Sequence, residues 1–325
     1  MSHPSRAVVL DTTDDPNSPL VDEFYRGYQE SFILPDETED LAAFKTCLSF
    51  NHGSTGEALR SRFGEFSEYV AIIRPPRTPD AAMLGGANFI VIPHAHRAGQ
   101  HGLVTVHLNY SFVAPAHRRQ GHLRGLISGV ESVASQFASA RGATSSRVLI
   151  LFEQNDPFLL TVAEENVDTQ VAGISQLERV HTWARLGAAI LDFAYVQPPL
   201  SPDKQPERRL ALGILGLANA EFLGSCVLHD HLHRFFAISV LKGRDPQTEP
   251  SAAQQLVSLA SECARGRPVD ALHIASQAED RLGTIYQERR GSTNLREVLR
   301  SLKTEKWQEA PREGSSTKQR GKHFR

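Results

Sequence analysis

The chain has 325 residues, 40% of them hydrophobic and 22% charged, which suits one elaborated domain or two and excludes disorder of the whole chain. Lys and Arg number 35 against 37 Asp and Glu, a net charge of -2, so no global positive field advertises nucleic acid or an anionic membrane surface. No apolar run is long enough to span a membrane, and residues 1–15 lack the basic-then-apolar plan of a signal peptide, so a cytoplasmic protein is expected. The three cysteines, Cys47, Cys226 and Cys263, are widely spaced and are read as reduced thiols, without a disulfide framework or a zinc spacing.

Residues 6–10 (RAVVL) read as a short strand, and residues 20–32 and 39–50 carry apolar side chains at helical spacing. Two strands follow, 68–74 (EYVAIIR) and 87–92 (ANFIVI), separated by Pro75, Pro76 and Pro79; Gly85 and Gly86 before the second suit a tight turn or bulge. Residues 103–113 (LVTVHLNYSFV) form the fourth and longest strand candidate, with Thr105, His107, Asn109 and Ser111 on one face. A helix over 123–141 places Leu123, Leu126, Ile127, Val130, Ala134 and Phe137 on one stripe and stops at Gly142. The fifth strand, 147–152 (RVLILF), is apolar throughout, as when both sheet faces are covered.

Beyond it, residues 158–186 look helical with a break at Gly173, and 188–196 and 208–215 alternate like two strands bridged by a proline-rich loop. Residues 217–302 read as a helical extension, and 303–325, basic and poor in apolar groups, as a disordered tail.

The informative segment is 109–126, NYSFVAPAHRRQGHLRGL, where a strand ends and a basic, glycine-containing turn opens straight into a helix. The first N–H groups of a helix lack intrahelical partners and sit at the positive end of its dipole, so such a turn is an anion cradle. Gly121 permits close approach, and Arg118, Arg119 and Arg124 add positive charge.

This segment resembles the coenzyme A loop of the GNAT superfamily of acyl-CoA-dependent N-acyltransferases: Arg118-Arg119-Gln120-Gly121 matches its first four positions, with Leu123 where a small residue is usual. The order of elements over residues 1–216 is that family's plan, which implies a mixed, mainly antiparallel sheet flanked by helices, followed here by the helical extension. Trp183-Ala184-Arg185-Leu186-Gly187 resembles the family's aromatic, three residues, glycine ending of a helix, where Tyr often protonates the departing thiolate. Trp183 cannot, so Tyr195, His181 or water is expected to replace it.

The resemblance implies acetyl-CoA as co-substrate, its diphosphate held by Arg118, Arg119, Gln120, Gly121, His122, Leu123 and Arg124, and its pantetheine arm beside Val113 and Asn155. It implies direct attack by an amine, with the oxyanion met by main-chain N–H groups near 112–114. His107 and Glu153 are the candidate bases, and Tyr195 the candidate acid.

Several residues have plainer readings. Asp156 before Pro157 suits a turn or cap, Tyr25 and Tyr28 suit core packing, and His94 and His96 suit loop polarity. His229, His231 and His233 invite a metal, but no further ligand is visible and no metal is expected. The expected acceptor is a small-molecule or peptide amine, with no nucleic acid or membrane partner; the extension either closes the acceptor pocket or makes a homodimer. The alternative from another class is a coenzyme-A-binding sensor or scaffold without transfer activity.

Overall fold

Alternation along the central strands assigns each helix its side of the sheet. The computed structural model describes residues 8–32, 38–76, 82–94, 102–143, 146–201, 203–217, 222–274 and 279–309. Its strands are β1 (Val9–Thr13), β2 (Ser67–Arg74), β3 (Gly85–His94), β4 (Gly102–Val113), β5 (Ser146–Asn155), β6 (Ala189–Leu191), β7 (Leu210–Leu215), β8 (Phe222–Leu223) and β9 (Val269–His273). They form one sheet in the order β1-β2-β3-β4-β5-β7-β6-β9-β8, in which β4 and β5 are parallel and every other pair is antiparallel.

On β3 and β5, Phe89, Val91, Ile150 and Phe152 point to one face and Ile90, Ile92, Leu149 and Leu151 to the other. The first face is covered by α4 (His122–Ser139), through Leu126, Ile127, Val130 and Phe137, and by Trp183 of α6 (Gln176–Arg185). The second is covered by α1 (Pro19–Ser31), α2 (Leu41–Ser49), α3 (Gly53–Phe63), α7 (Ser225–Phe235) and α8 (Pro250–Ala264). A third cluster joins α6 to α9 (Glu279–Arg289) and α10 (Leu295–Glu309) around Phe158, Ile190 and Leu272. This is the expected class: a mixed, mainly antiparallel sheet between helical layers.

Local chemistry agrees with the element ends. Asp40 caps α2 by accepting from Ala43 N, and Thr161–Glu164 and Ser175–Glu178 form capping boxes at the starts of α5 (Val162–Ala172) and α6. At Gly85 a Cβ would meet the Phe112 carbonyl oxygen at 2.3 Å, so the close approach of β3 and β4 requires the glycine.

The structure corrects several expectations. Helix α3 was not anticipated, because its only long apolar side chains are Leu59 and Phe63. The region after residue 217 is not purely helical: β8 and β9 extend the sheet, and Val269 and Ala271 share one apolar cluster with Leu151, Leu232 and Phe236. Cys226 and Cys263 are not free thiols. They form a disulfide across the α7–α8 hairpin, which brings residues 37 apart in sequence to a Cα separation of 4.7 Å; Cys47 is the free, buried thiol. The start of the expected tail is helical, since α10 runs to Glu309; residues 310–325 lie outside the described residues, as do residues 6 and 7 of the first strand candidate and His96. Among the described residues no helix is long and apolar enough to cross a membrane.

Candidate active site

Strands β4 and β5 pair from Gly102↔Ser146 to Leu108↔Phe152 and then part: β4 continues to Val113 and β5 to Asn155 without further contact in register. The parting begins at a bulge. Asn88 pairs with Tyr110 and Phe89 with Leu108, so Asn109 is an extra residue on β4. Past the bulge, Ala114 N donates to Leu84 O, so in an alternating strand Val113 turns its N–H and C=O away from β3.

The loop beyond β4 makes one short turn at Pro115–His117, passes Arg119 at φ 60° and Gly121 at φ 83°, and enters α4. No side chain caps that helix start, and its dipole points its positive end at the loop. The side chain of Leu123 packs into the α4-side core. Two of the expected phosphate-binding arginines are engaged with main chain: Arg118 donates from Nε to Val113 O (3.0 Å) and from Nη1 to Ala172 O, and Arg124 donates to Arg185 O (3.4 Å). They clasp the loop to the ends of α5 and α6. Gln120 donates to Ala116 O at 3.4 Å, and His122 is buried at the first position of α4. Trp183 stacks on Phe152 at 4.1 Å, a packing contact on the α4 side.

On the α7 side the gap opens into a small cleft lined by Glu39, Asn109, Tyr110, Glu153, Gln197, Phe235 and Ser239 among others. Its polar groups are largely acceptors. Glu153 receives hydrogen bonds from Tyr195 OH and from Gln197 Nε2 (3.0 Å). Burial, then the neighbouring carboxylate, holds the Tyr195 phenol well above its ordinary pKa, so it orients Glu153 as a neutral donor. Glu39 pairs with Lys242 at 2.6 Å. Asn109 gives its N–H₂ to Asn88 Oδ1 (2.9 Å), while its own Oδ1 is buried and has no partner among the described residues.

Behind this cleft, Glu68 accepts from Ser239 Oγ and, more weakly, from Asn88 and Asn109. Burial pushes its carboxyl from 4.5 up to about 7, against the Ser239 hydrogen bond and the Lys242 charge. Between those two values the folded protein keeps a proton that the unfolded chain has lost. The contribution of Glu68 to stability is therefore complete below its unfolded pKa and is lost as pH rises through about 7, at a slope of up to about 1.4 kcal/mol per pH unit. Urea unfolding of Glu68→Gln from pH 5 to 8 is expected to show that slope flattened; an unchanged slope would count against a protonated, buried Glu68.

The sequence-predicted residues thus divide. Val113, the loop 118–124 and Asn155 stand around the gap, and Glu153 and Tyr195 meet in the cleft. His107 does not join them: it lies beneath Phe235, its ring stacked at 3.5 Å, and burial lowers its pKa to about 3. It is therefore no resting place for a second proton. Asp156 caps Phe158 N and Leu295 N, and Tyr25 and Tyr28 stack in the core of α1 and α2. His229 and His233 stack on one face of α7 while His231 turns into the core, and no metal-binding group of three ligands occurs among the described residues. Glu39, Glu68, Ser239 and Lys242 were not foreseen.

Solved structures similar to this chain include an acetyltransferase assigned to the GNAT family from Desulfovibrio desulfuricans, 15% identical over 65% of this chain and 100% of that one, with a TM-score of 0.31. Others are Arabidopsis thaliana NAA60 in complex with acetyl-CoA (10% identity, 65% and 99%, TM-score 0.31) and the ribosomal-protein-S18-alanine N-acetyltransferase of Escherichia coli (13%, 66% and 96%, TM-score 0.32). No family model and no curated protein matches the chain. The element order and the parting β4–β5 pair make the fold GNAT-like, and the functional reading rests on the chain's own geometry.

Proposed function

We propose that this protein transfers an acyl group, acetyl from acetyl-CoA, to a small amine held in the cleft between β4 and β5. The observation that carries the reading is the parting of these strands beside a helix start without a side-chain cap, with the Val113 main-chain N–H turned away from β3. The first-turn amides of α4 hold the diphosphate, helped by Arg119. The thioester arm enters the gap between Val113 and Asn155, which puts its carbonyl within reach of an amine on the α7 side.

The acceptor enters as an ammonium, matched by Glu153 and by the open acceptor Asn109 Oδ1. Once it has lost a proton, its lone pair attacks the carbonyl; the N–C bond forms, the oxyanion meets Val113 N–H, and the C–S bond breaks. No covalent enzyme intermediate is required.

Incubation with acetyl-CoA and a panel of small primary amines is expected to release free coenzyme A thiol in step with acylated amine, read by mass spectrometry. The Arg118 clasp over the loop favours a second reading, a coenzyme-A-binding module without turnover. Binding without thiol release would select it, and absence of acetyl-CoA binding would remove both.

A further inference from the structure

Beneath Phe235 runs a continuous line of hydrogen bonds. Asp230 Oδ2 on α7 lies 2.8 Å from His94 Nδ1 at the end of β3. His94 Nε2 lies 2.8 Å from Thr105 Oγ1 on β4, which lies 2.8 Å from His231 Nδ1. His231 Nε2 lies 3.0 Å from His107 Nδ1. The outer end is open, with the Asp230 side chain 41% exposed, whereas Thr105, His107 and His231 are wholly buried. At the inner end, His107 Nε2 is buried without a partner among the described residues, and its ring lies flat on Phe235, which lines the cleft.

Counting donors fixes the direction of the line when every imidazole in it is neutral. A carboxylate only accepts, and a neutral imidazole has one donor and one acceptor. Burial opposes ionisation of Asp230, but the His94 hydrogen bond and the Arg234 guanidinium bring its pKa below the ordinary value. His94 must then donate from Nδ1 and accept at Nε2. Thr105 donates to His94 and accepts from His231 Nδ1; His231 accepts at Nε2 from His107 Nδ1. His107 Nε2 is left as a bare lone pair.

We infer that Asp230, His94, Thr105, His231 and His107 form a proton relay between the acceptor cleft and the protein surface, storing the proton that the amine must lose before it attacks. This rests on the acyl-transfer reading. The ammonium N–H breaks and, through one water of the cleft, an N–H bond forms at His107 Nε2. The His107 Nδ1 proton passes to His231 Nε2, that of His231 Nδ1 to Thr105 Oγ1, and that of Thr105 to His94 Nε2. The charge then rests on His94 beside the Asp230 carboxylate, with Arg234 the other charged group there. When the thiolate departs the same hydrogens shift back and an S–H bond forms, while the second proton of the acylated nitrogen leaves to water. Such a relay suits these surroundings, because burial keeps both His107 and His231 from holding charge while leaving them free to exchange one N–H for the other.

The switch is visible without turnover. In ¹⁵N spectra of the full chain, the imidazoles of His107 and His231 are expected to change from Nδ1–H to Nε2–H together on acidification, both remaining neutral. Thr105→Val should abolish the coupled change and Thr105→Ser should keep it. With an accepted amine, Thr105→Val should lower kcat at least tenfold, leave both KM values within about twofold, and recover in Thr105→Ser. Buried imidazoles that hold one tautomer throughout the acidification, or that switch equally in Thr105→Val, overturn the relay, as does a Thr105→Val variant with wild-type kcat. If no amine in the panel is acylated, the acyl-transfer reading fails and the ¹⁵N titration still decides the relay.

Discussion

Gly121→Glu should weaken acetyl-CoA binding by at least 100-fold, about 2.7 kcal/mol, while the protein remains folded. Gly121 sits at the N-cap of α4 with φ 83° and ψ 3°, a left-handed conformation that costs an ordinary residue about 1–2 kcal/mol. A carboxylate placed there recovers part of that cost, because it accepts from the orphan amides and sits at the positive end of the helix dipole. It thereby occupies the cradle proposed for the diphosphate and repels it. Gly121→Asn separates charge from strain: Asn tolerates the left-handed region and is neutral, so it should bind acetyl-CoA within about tenfold of the native chain. Calorimetric titration of both variants decides the matter, and native affinity in Gly121→Glu would remove α4 as the diphosphate site.

That loop was legible in the sequence because its chemistry is local: a strand end, two arginines, a glycine and a helix start follow one another over a few residues. The cleft was not, because it is assembled from segments far apart in the chain. Ser239 meets Glu68 across 171 positions and His231 meets Thr105 across 126, and periodicity reports only whether a position is buried. A signal did exist. His231 and Ser239 interrupt a segment otherwise buried through Leu228, Leu232, Phe235 and Phe236, and Glu68 opens a buried strand. A polar residue inside an apolar stripe needs a partner, and here those partners are the relay and the Glu68 cluster. His94 was read as loop polarity because its partner Asp230 comes from a different element. The Cys226–Cys263 pair escaped for the same reason, since only the α7–α8 hairpin brings the two together. The parting of β4 from β5 depends on one extra residue, Asn109, which alternation cannot reveal.

Glu153→Gln should lower kcat/KM for the amine by about 10²-fold near neutral pH, an effect on the order of 2–3 kcal/mol and the size expected when a hydrogen bond to a charged group is lost. The substitution keeps side-chain length, and the new amide oxygen can still accept from Tyr195 OH. What disappears is the negative charge facing the ammonium in a cleft lined by Tyr110 and Phe235, where few solvent dipoles can replace it. The deficit therefore depends on the protonation state of the acceptor. An alkyl amine with pKa about 10 is almost wholly charged at pH 7, and the variant lacks its partner; as pH approaches that pKa, the neutral amine needs no counter-charge and the two enzymes should converge. A purely structural lesion would lower kcat/KM by the same factor at every pH. Tyr195→Phe removes a donor that orients Glu153 and leaves the charge in place, so its loss should be smaller and largely independent of pH. Parallel pH profiles for Glu153→Gln and the native enzyme would place ammonium recognition elsewhere in the cleft, with Glu39 the next carboxylate to test.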